Sequence, residues 1–172
     1  MPFEVEVMLI YHPYKDANHC AYRLLSILSA CRVPVNLNYL HIADFYHLFP
    51  SQLKHIDKWP RKNSVIYNAI QKIPESYEYI DNPRKIFFEL KTIRANVLIN
   101  LLSKNLIECT TDNLITIKHQ KLPLSLVKQI DNDEFRRSSE FQIITTKMKD
   151  LKLHGESGLK SKSGLMEYRY DI

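Results

Sequence analysis

Residue types that do chemistry are present in this chain, but their spacing builds no site. There are seven histidines and three cysteines. A metal needs converging ligands, such as two histidines one helical turn apart with a carboxylate beside them. His41 and His47 are six apart, on different faces of a helix. His12 and His19 are separated by a turn and most of two helical turns. These histidines read as lone surface or half-buried side chains, and neither a metal nor another cofactor is expected. Cys20, Cys31 and Cys109 are odd in number and widely spaced, which implies neither a disulfide framework nor a zinc site. Cys20 and Cys31 fall among apolar helical residues and read as buried, reduced thiols.

Asp44, in IADFYHLFP, sits in the most apolar stretch of the chain and allows two readings. Burial could raise its pKa for acid–base work. Alternatively it pairs with a basic side chain or a backbone amide, which a desolvated carboxylate requires. No nucleophile or second carboxylate lies near it in sequence, and no local pattern supports a serine or cysteine triad, so the structural reading is favoured. Glycine points the same way. Gly155, Gly158 and Gly164 all lie in the last 18 residues, and the first 154 residues contain none. Phosphate-cradling loops and nucleophile elbows need glycine for close backbone approach and positive φ. The body therefore holds no Walker loop, dinucleotide fingerprint or elbow, and a non-enzymatic protein is expected.

Basic residues are the remaining signal. Net charge is +5, and residues 61–104 hold eight Lys/Arg against four Asp/Glu. Arg61, Lys62, Arg84, Lys85, Lys91 and Arg94 are the candidate phosphate contacts. Positions 84, 91 and 94 can share one side of a helix. A solvated helix face is the competing explanation for the same charges. The first residues, MPFEVEVMLIYHPY, carry Glu4 and Glu6 where a signal peptide carries positive charge. No apolar run reaches the roughly 18–20 residues of a membrane helix. The reading is a cytoplasmic chain without a membrane partner.

The elements that must position these groups are mostly helical. Phe3–Ile10 reads as a short strand. Asp16 caps a helix with apolar positions at 17, 20, 21, 24, 25, 28 and 31, which Pro34 ends. Asn36 caps a second helix, Leu37 to Phe49, apolar nearly all round and so the most buried element. Residues 51–63 are a polar connection, Ser64 caps a short helix over 65–72, and Tyr77, Tyr79 and Ile80 lie in a loop able to pack back on the core. Asn82-Pro83 starts a helix running to Lys104, with one stripe from Ile86 to Leu102. Two strands follow, Leu106 to Cys109 and Leu114 to Ile117, joined by a polar turn at Thr110 to Asn113. Helix, strand, turn and strand together read as the second half of a winged helix. Asp112 and Asn113 at the wing tip, and the few polar side chains in NVLINLLSKN, argue against base readout. Pro123–Gln129 reads as a short helix. Glu134–Leu153 reads as one charged helix, docked through Phe135, Phe141, Ile144 and Met148.

Composition shifts at His154, dividing residues 1–153 from a glycine-containing tail, 154–172. The tail ends in Leu165, Met166, Tyr168, Tyr170 and Ile172, too apolar for a purely solvated segment. Leu165, Met166, Tyr168, Arg169 and Tyr170 are the candidate partner-binding residues. The expected fold class is α+β, mostly helical, with a winged-helix-like core, a C-terminal helix and a tail.

Three stretches carry a family resemblance: YHPYKDANHCAYRLLSIL, LNYLHIADFYHLFPSQL and GLKSKSGLMEYRYD. In this order they resemble the opening segment, the apolar helix closing on Leu-Phe-Pro, and the C-terminal signature of the middle component of ABC-three-component systems, the set that includes the Lamassu defence systems. The resemblance implies a small non-enzymatic subunit associated with an SMC-like ABC ATPase and an effector, often a nuclease, acting against phages and plasmids. The winged-helix reading, one such unit in the C-terminal half, fits an accessory subunit of an SMC complex, where tandem winged helices bind other subunits, and the resemblance brings no catalytic residues. The expected function is an adaptor bridging the ATPase and the effector, with at most weak, non-specific DNA contact. A winged-helix transcriptional regulator is the alternative.

Overall fold

The computed structural model describes residues 12–169; the expected strand over Phe3–Ile10 lies outside them, as do Tyr170 and Ile172. Helix α1, Ala17–Cys31, starts where Asp16 accepts from the Asn18 and His19 amides. It ends at Arg32, in the left-handed conformation (φ 56°), before Pro34 is reached. Strand β1, Val35–Asn36, leads directly into helix α2, Leu37–Leu48, where the Asn36 side chain accepts from the Asn38 amide. Tyr39, Leu40, Ile42, Ala43, Asp44, Phe45 and Tyr46 of α2 are buried, as a helix apolar on all sides requires. A 3-10 segment, Pro50–His55, and helix α3, Val65–Gln71 with Ser64 as its cap, form the next layer.

Helix α4, Pro83–Ser103, has Asn82 as cap and proline at its first position. One side buries Phe87, Leu90, Val97, Leu98 and Leu101 against α1 and α2. Strands β2, Ile107–Cys109, and β3, Leu114–Ile117, follow, with Asn113 at φ 57° closing the turn. The sheet order is β1-β3-β2, all antiparallel, with Val35 opposite Ile115 and Ile107 opposite Ile117. Ile115 and Ile117 point inward, the period-2 pattern of a half-buried strand. The fold is α+β and mostly helical. Residues 17–72 contribute β1 to the same sheet as β2 and β3, and the described residues contain this one sheet.

The C-terminal third departs from expectation. Helix α5, Leu124–Asp131, forms, but Glu134–Leu153 is not one helix. It breaks into a 3-10 turn, Phe135–Arg137, helix α6, Ser139–Gln142, and a π segment, Ile143–Lys147. Two local causes act. Extended Ser138 caps α6 by accepting from the Phe141 amide, and the Thr145 and Thr146 hydroxyls donate to the Phe141 and Gln142 carbonyls, competing with the helical ladder. The apolar residues still dock as the sequence indicates: Phe141, Ile144 and Met148 are fully buried and Phe135 is half-buried. Tyr39 donates to the Ile144 carbonyl at 2.6 Å and fixes this segment to α2. Of the loop able to pack back on the core, Ile80 does so, while Tyr77 and Tyr79 are exposed.

The tail is built into the fold. Helix α7, Leu159–Ser163, is anchored where the Leu159 amide donates to Lys152 at 2.7 Å and the Asp57 amide donates to Lys162 at 2.9 Å. Gly158 permits this: a Cβ there would stand 2.3 Å from the His154 carbonyl oxygen, a clash with backbone that cannot move aside. Gly164, at φ 67°, ends α7 in the left-handed region that glycine enters without steric cost.

Candidate functional site

The chemical centre of the molecule is Asp44. It is the one buried carboxylate among the described residues, and α1 and α4 each send an arginine to it. Arg23 donates from Nε to Oδ1 at 2.6 Å and from Nη2 to Oδ2 at 3.3 Å. Arg94 donates from Nε to Oδ2 at 2.8 Å, and its guanidinium lies 4.7 Å from the centre of the Phe87 ring. Arg23 also donates from Nη1 to His19 Nδ1 at 2.6 Å, which leaves that imidazole nitrogen unprotonated. Burial pushes the Asp44 pKa up, but the two guanidiniums more than offset it and hold the group at about 2. An ionised carboxylate held by two guanidiniums neither donates nor accepts a catalytic proton near neutrality. It clamps three helices together, as the structural reading of Asp44 expects.

This geometry corrects one candidate phosphate contact. Arg94 is buried, on the stripe that carries Phe87, Leu90 and Val97, and cannot reach a ligand in solvent. The spacing of 84, 91 and 94 suggested a common side, but a desolvated carboxylate on the facing helix holds Arg94 in the core. The other five candidates are exposed: Lys85 and Lys91 on α4, Arg61 and Lys62 in the loop before α3, and Arg84 at the start of α4. Arg84 lies 3.9 Å from Glu167 and over the Phe88 ring, so it joins the tail to α4. At the β2–β3 hairpin, Lys118 is 3.5 Å from Glu108 and donates to Asn105, leaving Asp112 and Asn113 at the exposed tip.

The tail candidates separate. Leu165 is buried in the domain's own core beside Leu159, and Met166 packs partly against it, so Leu165 is unavailable to a partner. Tyr168 is half-buried and Arg169 exposed, and their amides donate to Glu167. Leu165→Ala is expected to cost about 2–5 kcal/mol, the range for a buried leucine whose site collapses partly. A thermal melt matching wild type would refute internal docking.

A cleft of about 780 Å³ between α1, the end of α4 and α5 is lined by Asp16, His19, Tyr22, Asn100, Lys104 and Asp133, among others. Its polar groups already serve the fold. Tyr22 donates to Asp133 at 2.6 Å, and His19 Nδ1 is engaged by Arg23. Among the described residues no group of three or more His, Cys, Asp or Glu side chains converges. No helix among them is long and apolar enough to cross a membrane.

Arg23 is a further residue of this cluster, and its signal in the sequence is an arginine between the buried positions 20 and 24 of α1, where a solvated charge does not belong.

No curated protein and no solved structure matches the chain. The model of the ABC-three component (ABC-3C) system Middle Component 5 family matches residues 9–171, and this chain belongs to that family.

Proposed function

We propose that this chain is a non-enzymatic adaptor of an ABC-three-component defence system, holding an SMC-like ABC ATPase and a nuclease-type effector in one cytoplasmic complex. Family membership makes other components of such a system its partners. The observation that carries the adaptor reading is the outward face of α4, where Phe88, Ala95, Ile99 and Leu102 stand exposed. The element order α1-β1-α2-α3-α4-β2-β3, with sheet order β1-β3-β2, supports a winged helix in which α4 is the helix presented outward and β2–β3 is the wing. A DNA reader carries hydrogen-bonding side chains on that face. Here the large exposed side chains Phe88, Ile99 and Leu102 are apolar, interleaved with polar Thr92, Asn96 and Asn100, and the β2–β3 turn carries Asp112. The reading is a winged helix used to hold protein.

Co-expression with the neighbouring ATPase and effector tests it. The tagged chain is expected to retain both, and alone to hydrolyse neither ATP nor DNA. Turnover that tracks with the chain through further purification would make it an enzyme, and failure to retain either partner would end the adaptor reading.

DNA contact is expected to be weak and non-specific. Log K should fall with log salt at roughly −0.9 per phosphate neutralised. Arg84→Ala, Lys85→Ala and Lys91→Ala should each make the slope shallower by at most about one. Fluorescence anisotropy across a salt series measures this. Nanomolar binding to one sequence over scrambled competitors would establish the regulator instead.

A further inference from the structure

We infer that the cavity between residues 53–62 and α3 binds a nucleotide, its base stacked on Trp59 and its phosphate met by Lys58 and Lys62. The cavity measures about 460 Å³, inside the span of about 300–1,000 Å³ typical of small-molecule sites. Its apolar lining is Leu53, Ile56 and Ile70, all buried. Tyr67 and Gln71 stand one turn apart on α3, on the side that carries Ile70, and form one wall. Trp59, the single tryptophan of the chain, rests half-buried against the core and lines the same space.

The polar groups here are unspent. Among the described residues the Trp59 indole N–H, the Tyr67 hydroxyl, the Gln71 amide and the Lys58 and Lys62 ammoniums make no hydrogen bond or ion pair, and no second ring lies against Trp59 or Tyr67. In the larger cleft beside α5, by contrast, Tyr22 is bound to Asp133 and His19 to Arg23. Charge at the cavity has one sign. Residues 54–72 hold Lys54, Lys58, Arg61, Lys62 and Lys72 against Asp57 alone. Asp57 is exposed and outside the lining, and no carboxylate lines the cavity. Lys54 is neutralised by Glu75 at 2.5 Å, which leaves Lys58 and Lys62 as the free cations of the lining, with His55 beside them.

Cations alone would suit any anion, but the aromatic groups select among anions. A base offers a flat face to an indole, and such stacking tolerates any base. The Gln71 amide offers both a donor and an acceptor to a base edge. Lysine ammoniums meet phosphate as point charges, so the site needs no glycine loop to bring backbone close. In a duplex each base face is covered by its neighbours, so the ligand is a free nucleotide or an unpaired one in a single strand. The site requires no partner subunit and is independent of the adaptor reading.

Trp59 reports on its own site. Titrating the full chain with thymidine monophosphate, and separately with an oligodeoxythymidylate of about ten residues, should quench tryptophan fluorescence saturably. An oligonucleotide that binds about tenfold tighter or more identifies a single strand as the source, and equal affinity identifies the free nucleotide; both place a nucleotide at Trp59. Variants are read by anisotropy of the labelled probe, with thermal melts alongside. Trp59→Leu should weaken binding about fivefold or more, as loss of one stacked base does, and Trp59→Phe should recover most of it. Lys58→Glu with Lys62→Glu changes two exposed side chains, so it should keep the wild-type melting temperature while weakening binding about tenfold or more. Absence of quenching by both probes overturns the proposal, as does unchanged affinity in the double glutamate variant. Equal quenching by a duplex rules out stacking. Equal quenching by polyglutamate replaces the nucleotide with an acidic protein segment.

Discussion

Asp44→Asn is expected to destabilise the chain by about 3–5 kcal/mol, the cost of removing one partner from a buried ionic group. The variant leaves two guanidiniums desolvated in the core with no anion between them. For a chain of this length that corresponds to a melting temperature lower by about 6–20 °C. Chemical denaturation gives the free energy directly, and a loss under about 1 kcal/mol would show that Asp44 is not the clamp. A second variant separates charge from packing. Replacing the whole set, Arg23→Met with Asp44→Leu and Arg94→Met, should recover most of the loss, because no unpaired charge remains. The carboxylate also has a pH signature. Its folded pKa, about 2, is depressed below its ordinary 3.8. Its stabilisation is therefore fully present above about pH 4 and is lost as pH falls toward 2.

Acidification should destabilise the fold well before that range, through two histidines of α2. Burial holds His41 at about 4, with Arg94 adding to the effect, and burial likewise holds His47 at about 4, its ring edge-on to Phe135 and Phe141. The Nε2 atom of each is buried without a hydrogen-bond partner. In the unfolded chain both titrate near 6.5, so between about pH 6.5 and pH 4 the unfolded state binds more protons. Stability then falls as pH falls across that window. One pKa unit corresponds to about 1.4 kcal/mol, so each ring contributes a loss of about 3 kcal/mol by pH 4. Urea denaturation at a series of pH values should show a steep decline in wild type. The double variant His41→Leu, His47→Phe should show a much shallower one. Some slope should remain, because His19 is also held low, by burial and by Arg23. An unchanged slope in the double variant would remove these rings as the cause.

Arg94 shows how far a linear reading reaches. Residues 87, 90, 94, 97 and 101 form one helical stripe, and four of them are apolar. The stripe was legible, yet the arginine within it was grouped with charges on the same helix. What decides its place is Asp44, fifty residues earlier, and the pairing exists only once α2 and α4 pack. The same holds for the tail. Its apolar residues announce docking, but that Leu165 docks in its own core follows from the backbone bonds α7 makes to Lys152 and Asp57. The break at Ser138 was carried by local hydroxyls, a signal outweighed by apolar spacing that continues across it.

By itself the sequence determined the helix starts at Asp16, Asn36, Ser64 and Asn82, the strands β2 and β3, the apolar character of α2, and the family stretches. Each of these rests on local chemistry: a side chain capping its own backbone, a period of 3.6 or 2, or a motif in one contiguous run. The tertiary structure alone decided that Val35 and Asn36 complete the sheet of β2 and β3, that Arg23 and Arg94 converge on Asp44, and that α4 buries one stripe while leaving a second exposed. These depend on residues far apart in the chain. Backbone pairing with β3 places Val35 and Asn36, and the desolvated charge of Asp44 requires Arg23 and Arg94 as partners.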